Sequence, residues 1–151
     1  MKAFALLPIV VAAWACYPTV NTNVTPLDPS LHLARTCSDG VKLFTSPDRV
    51  EHSYREVALI NSKGELNRSN ESDMFLSMRE EAAAHGANGI ILAQLDEPNP
   101  ITKVAAGVGQ VVLPRVGKGT AIYVAADSSN SAAACANYKR PSRWRRHFLQ
   151  L

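Results

Sequence analysis

The chain has 151 residues, of which 46% are hydrophobic and 19% are charged, a composition that is typical of one small folded domain and excludes wholesale disorder. The formal net charge is +3, but residues 16–138 carry ten Lys and Arg against thirteen Asp and Glu, whereas residues 139–146 carry five basic residues and no acid. The sequence therefore predicts a mildly acidic body with a basic carboxyl-terminal tail.

The amino terminus has the pattern of a secretory signal peptide. Lys2 supplies a positive start, and residues 3–15 form an uncharged apolar run that is shorter than the ~20 residues of a membrane-spanning helix. The run ends in the sequence AWA, with small residues at the two positions that a signal peptidase reads, and Cys16 follows. Residues 1–15 are therefore predicted to be removed, so that the mature chain begins at Cys16.

Two alternatives remain for Cys16. The AWAC junction resembles a bacterial lipobox, although Ala13 stands where Leu is usual and Trp14 where a small residue is usual; Cys16 would then be diacylated and anchored in a membrane. Alternatively, an ordinary signal peptidase leaves Cys16 as a free thiol. Cysteine parity favours lipidation, because it leaves Cys37 and Cys135 to form one disulfide in an oxidising compartment. Alternatively, Cys37 and Cys135 are not bonded to each other and are two buried thiols.

The segment after Cys16 is rich in Pro, Asn and Thr, which predicts an extended linker. Residues 16–36 are therefore expected to hold the domain away from its lipid anchor. Tyr17 follows the cysteine, and under the Gram-negative sorting convention a residue other than Asp at that position implies the outer membrane. The predicted location is an outer-membrane lipoprotein facing the periplasm, and the alternative is a soluble periplasmic or secreted protein.

Residues 37–126 are predicted to form a small α+β domain in the order β-β-α-β-loop-β, with one main helix packed on the sheet. Asn70 as N-cap, Asp73 as the capping-box acid and Gly86 as the stop predict that helix over residues 70–85. Alternating or β-branched runs predict strands at residues 41–46, 54–61, 90–95 and 120–125, a turn at 62–64 and a glycine-rich loop at 98–119.

The end of the chain differs in composition from the rest. Residues 127–134 have low complexity and a basic tail follows, so residues 127–151 are predicted to lie outside the domain. Trp144 and Phe148 are interleaved with the cations, a pattern that attracts anionic lipid surfaces; for an exported protein nucleic acid is the less favoured polyanion. A solvated tail with no specific partner is the alternative. The predicted surface contact consists of Lys139, Arg140, Arg143, Arg145 and Arg146.

Residues 54–92 contain the sequence YREVALIN, a helix that ends in EAAAHGANG, and the strand IIL. These motifs resemble a group of small bacterial envelope proteins, the RcsF-like and DUF4156-like lipoproteins and the related YbjQ-like domain. The resemblance implies a small α+β sandwich on an envelope lipoprotein that senses the surface or binds a partner, and it implies no catalytic residue. RcsF-like proteins have two disulfides in this domain, whereas this chain offers one pair.

No motif in the sequence predicts a catalytic residue, a metal site or a cofactor. The four histidines lack the spacing of a zinc site, the glycines match neither phosphate-binding fingerprint, and no nucleophile elbow is present. The leading hypothesis is a non-catalytic envelope lipoprotein that serves as a protein-interaction or envelope-sensing module. The alternative is a small periplasmic ligand- or metal-binding protein that uses the glycine-rich loop of residues 105–119.

Overall fold

The computed structural model describes residues 20–65, 69–96 and 114–139. The elements in chain order are β1 (Val20–Pro26), β2 (Lys42–Phe44), β3 (Arg55–Glu65), α1 (Glu71–Ala84), β4 (Gly89–Asp96), β5 (Pro114–Tyr123) and α2 (Ser128–Cys135). Short 3-10 turns lie at Ser38–Gly40, Pro47–Arg49 and Ala125–Asp127. Within the described ranges, no helix is both long and apolar enough to cross a membrane.

The five strands form one mixed sheet in the order β1-β3-β5-β4-β2. All neighbouring strands are antiparallel except β2 and β4, which are parallel. Helix α1 packs on one face of this sheet, so the fold is the small α+β fold that the sequence predicts.

Helix α1 forms where its capping signals predict it. Asp73 donates its backbone N–H to Asn70 Oδ1 at 2.8 Å, and Asn70 donates its own N–H to Asp73 Oδ2 at 3.1 Å, which completes a capping box. Beyond the other end, Gly86 adopts a φ of +79°, a left-handed conformation that favours glycine. A Cβ at Gly86 would collide with Leu33, so this glycine also lets the loop between β1 and β2 lie close to the end of α1.

Helix α1 lies close to the sheet because the strand beneath it carries small residues. A Cβ at Gly117 would lie 3.3 Å from Met74 Cε, and a Cβ at Gly119 would lie 3.3 Å from Met78 Cε. Both methionines are fully buried, and their flexible side chains fill the space that the glycines leave. The main core therefore lies between α1 and the centre of the sheet.

Residues 20–26 form the edge strand β1, so the prediction that residues 16–36 are a linker outside the domain is wrong for this segment. Alternate side chains of β1 point toward α1, and among them the Thr22 hydroxyl donates to Ser62 Oγ at 3.0 Å. The same hydroxyl is hydrogen-bonded to Ser77 Oγ of α1 at 2.7 Å. The β-branched residues at every second position outweigh the turn preference of the asparagines between them.

Three other boundaries differ from the predictions. Strand β3 continues through the predicted turn at residues 62–64, because Gly64 pairs with Val20 of β1 and with Arg115 of β5. Strand β5 begins at Pro114, so residues 114–119 are not a loop, and residues 98–113 of that predicted loop lie outside the described residues. Helix α2 lies in the segment that was predicted to be outside the domain.

Candidate functional site

The predicted disulfide between Cys37 and Cys135 is present. It joins residues 98 positions apart in the chain, with the two Cα atoms 5.6 Å from each other. Ser131 adds a hydrogen bond from its hydroxyl to the carbonyl of Gly40 at 2.9 Å. The disulfide therefore fixes α2 against the turn Ser38–Gly40 and makes it part of the domain.

The basic tail begins directly after this disulfide. Ser38 donates its hydroxyl hydrogen to the Tyr138 hydroxyl at 3.1 Å, and Lys139 is exposed. The remaining cations of the predicted surface contact are Arg140, Arg143, Arg145 and Arg146, and they lie outside the described residues, as does the predicted lipid attachment site Cys16.

Asn88 lies directly before β4 and is hydrogen-bonded to the backbone at the end of β5 and at the start of β2. Its side-chain Nδ2 donates to the carbonyl of Val124 at 2.8 Å, and the N–H of Val124 donates back to Asn88 Oδ1 at 2.7 Å. The Asn88 backbone also bonds the carbonyl of Ile122 at 3.1 Å and the N–H of Lys42 at 3.0 Å. Asn88 is 4% exposed, so these bonds are protected from water. They fix the residues on both sides of Tyr123.

Tyr123 forms part of a cleft of about 340 Å³ at the end of the sheet where β1 stops. This volume falls within the range of ~300–1,000 Å³ that is common for ligand sites. The cleft is lined by Leu33, Ser53, Tyr54, Arg55, Tyr123 and Ala125. These residues come from three separate segments of the chain, so the cleft exists only in the folded sheet.

Arg55 and Tyr123 are directly opposite each other on β3 and β5. Directly opposite side chains share a face and have Cβ atoms ~4.5–5.5 Å apart. Tyr123 is half-buried against the core, whereas Tyr54 is 37% exposed. The cleft therefore combines one guanidinium and two phenol rings, which can pack on an apolar group and donate hydrogen bonds to a carbonyl or carboxylate.

An acidic side chain lies near Arg55. The Ser30 hydroxyl and N–H donate to Asp28 Oδ1 at 2.6 and 2.9 Å, and these bonds lower the pKa of Asp28, with smaller contributions from the charges of Arg55 and His32. Asp28 is therefore ionised at neutral pH. The surroundings of the cleft carry both signs of charge, which suits a polar partner surface better than a strongly anionic ligand.

A second cavity, of about 60 Å³, lies beside α2. There the Lys42 ammonium is 2.9 Å from Asp127 Oδ2, and this hydrogen bond is the main cause of the lowered pKa of Asp127. Since Lys42 already neutralises this carboxylate, the larger cleft is the better candidate site. Among the described residues, no group of three or more His, Cys, Asp and Glu side chains is arranged to hold a metal ion.

The glycine-rich alternative site has to be corrected in part. Gly117 and Gly119 belong to β5 and are buried beneath α1, so they do not form an anion-binding loop. Gly107 and Gly109 lie outside the described residues. The cleft residues Tyr54, Arg55 and Tyr123 were not predicted as a site.

Comparison with protein families finds no family model that matches this chain, and no curated protein matches it. Among solved structures, the chain is similar to the Francisella virulence factor FvfA in its orthorhombic form. The identity is 17% and the TM-score 0.45, over 68% of this chain and 96% of that one. A likeness at this level does not assign a function.

Proposed function

We propose that the protein is a non-catalytic, lipid-anchored envelope protein that binds a partner protein through the cleft around Tyr54 and Tyr123. The leader of residues 3–15 and the cysteine that follows it support export and lipidation of Cys16. The disulfide between Cys37 and Cys135 supports an oxidising compartment, because such bonds are rare in the cytosol.

The observation that carries the proposal is the position of the cleft relative to β1. Strand β1 starts at Val20, four residues after Cys16, and its end at Pro26 pairs with Ala58, close to the first residue of β3. At 3.4 Å per residue, the strand separates its start from the cleft by roughly 20 Å. An anchor at Cys16 would therefore attach to the lipid near the Val20 end of the sheet, and the cleft, at the opposite end of β1, lies away from the point of attachment and is free for a partner.

The residue types in the cleft also favour a protein partner. Tyrosine and arginine are enriched among the residues that contribute most to the stability of protein interfaces, especially in desolvated pockets. Tyr123 is fixed by its strand and by the core, so it loses little conformational freedom on binding. Arg55 lies directly opposite Tyr123 and adds hydrogen-bond donors at the edge of the same cleft.

Photocrosslinking in the native host tests this function. A benzophenone amino acid in place of Tyr54 is expected to give one saturable adduct with an envelope protein, identified by mass spectrometry. Adding Arg55→Ala should reduce the yield roughly tenfold, since it removes the guanidinium donors of the cleft from the interface. The matched control carries the same crosslinker at the exposed Asn137. Equal adducts at both positions, or adducts at Tyr54 that do not respond to Arg55→Ala, would contradict the proposal.

A further inference from the structure

Of the residues that the structure describes, few cover the side of the sheet opposite α1. Near β2 and β4, Phe44 and Val50 pack on Ile91 and Ile122. Across β1, β3 and β5, neither described helix packs on this side. We call this uncovered area the open face; it consists of Asn21, Asn23 and Thr25 of β1, Leu59, Asn61 and Lys63 of β3, and Val116, Lys118 and Thr120 of β5.

The alternation of burial along β3 identifies this face. Ala58 and Ile60 are buried beneath α1, whereas Leu59 between them is 49% exposed. Leu27 continues β1 through a hydrogen bond from its N–H to the Val57 carbonyl, and its side chain is 44% exposed. The open face therefore has one exposed leucine, Leu59, within a surface of amides, hydroxyls and ammonium groups.

Helix α1 and the centre of the open face differ in charge. The charged residues of the open face are Lys63 and Lys118, with Glu56 and Glu65 at its two ends. Helix α1 on the opposite side has four acidic residues, Glu71, Asp73, Glu80 and Glu81, and one basic residue, Arg79. An anionic surface would therefore attract Lys63 and Lys118 at the centre of the open face and repel α1, and Arg55 adds one positive charge at the cleft end of the helix side.

The short connection between Cys16 and the start of β1 limits how far the open face can be from an anchor at Cys16. Four residues of extended chain span at most ~14 Å, and the strand that starts there, at Val20, belongs to the open face. We propose that the open face lies on the surface of an anionic lipid bilayer, with Lys63 and Lys118 at the headgroups and Leu59 at the interface. This proposal rests on the lipid anchor of the proposed function.

The arrangement has a consequence for the cleft. Tyr123 packs on the core beneath α1, and Arg55 shares its face, so both lie on the helix side of the sheet. With the open face on the bilayer, α1 and the cleft point away from the lipid. The same orientation therefore serves both the anchor and the partner site.

Quenching by brominated lipids tests this orientation. The lipidated protein with Trp144→Phe is reconstituted into vesicles of phosphatidylethanolamine and brominated phosphatidylglycerol, with a single reporter at L59W or S72W. Ser72 is exposed at the start of α1, so S72W reports from the side of the sheet opposite Leu59 and from the end of the sheet near Val20, where the anchor would lie. We expect the L59W fluorescence to shift to the blue and to be quenched several-fold more strongly than that of S72W.

Reversing the charges of the open face distinguishes the contact between this face and the headgroups from attachment by the lipid at Cys16. K63E/K118E should lower the quenching of L59W to the level of S72W while the protein stays in the vesicle fraction. Vesicles of brominated phosphatidylcholine provide the lipid control, in which the reversal should have no effect. If the measured mass includes the lipid but both reporters are quenched equally, the proposed orientation is wrong and the lipid anchor is still supported. A chain without the lipid would overturn both.

Discussion

Replacing Cys37 and Cys135 together by serine is expected to lower the free energy of unfolding by about 4–5 kcal/mol. The disulfide closes a loop with a separation of 98 residues, and the chain-entropy model assigns ~4.7 kcal/mol to a loop of about 100 residues. The bond also fixes α2, in which Ser131 is the buried residue, so little apolar burial holds this helix otherwise. Denaturant unfolding of the variant beside the wild type measures this difference.

Reduction of the wild-type protein provides the control for this substitution. The reduced protein and the double variant should unfold at the same denaturant concentration, because both lack the same constraint on the unfolded chain. In hydrogen exchange, α2 should lose its protection while β3 and β5 keep theirs. A loss below about 1 kcal/mol, or a loss of protection in the central strands as well, would contradict this role of the disulfide.

Asn88→Ala is expected to lower the free energy of unfolding by about 2–4 kcal/mol. The substitution removes both partners of the Val124 backbone, whose N–H and carbonyl bond the Asn88 side chain at 2.7 and 2.8 Å. Val124 is 1% exposed, so water cannot readily replace these bonds, and each unpaired group costs about 1–3 kcal/mol. Chemical denaturation measures the effect.

Asn137→Ala is the matched control for Asn88→Ala, since Asn137 is exposed after α2 and the change should stay within about 0.5 kcal/mol. Because the bonds of Asn88 fix the residues beside Tyr123, Asn88→Ala should also lower crosslinking from position 54 at temperatures at which the protein remains folded. An effect no larger than that of Asn137→Ala would mean that Asn88 does not support the sheet in this way.

The elements with strong local signals could be predicted from the sequence. The capping box of Asn70 and Asp73 and the glycine after the helix fixed the limits of α1, and a continuous apolar run indicated β4. The capping interactions of α1 lie within a few residues of the chain, and the apolar run of β4 is visible in its own residues, although its pairing partners in β2 and β5 are distant. Both signals can therefore be recognised without the structure.

The elements that depend on distant partners could not be predicted. Strand β1 contains asparagine at the positions that face away from α1, and its stability comes from pairing with β3 about forty residues later in the chain. Gly117 and Gly119 resemble loop glycines in sequence, but their role is to let α1 approach β5. Helix α2 has almost no apolar face, and its position depends on Cys37.

The cleft could not be predicted for the same reason. Arg55 and Tyr123 come together only through the register of β3 with β5, and Leu33 reaches the cleft through the loop that packs at Gly86. The disulfide, in contrast, followed from cysteine parity once Cys16 was assigned to lipid. The lipid anchor is therefore the central element of the proposed function, because the orientation of the sheet and the exposure of the cleft both depend on it.

The most direct test of this central claim is the intact mass of the mature protein isolated from its own host, beside a Cys16→Ala variant. The account predicts a chain that begins at Cys16, carries a diacylglyceryl group, and loses that group in the variant. A mature chain that begins at Cys16 without lipid, or a chain that keeps residues 1–15, would contradict it.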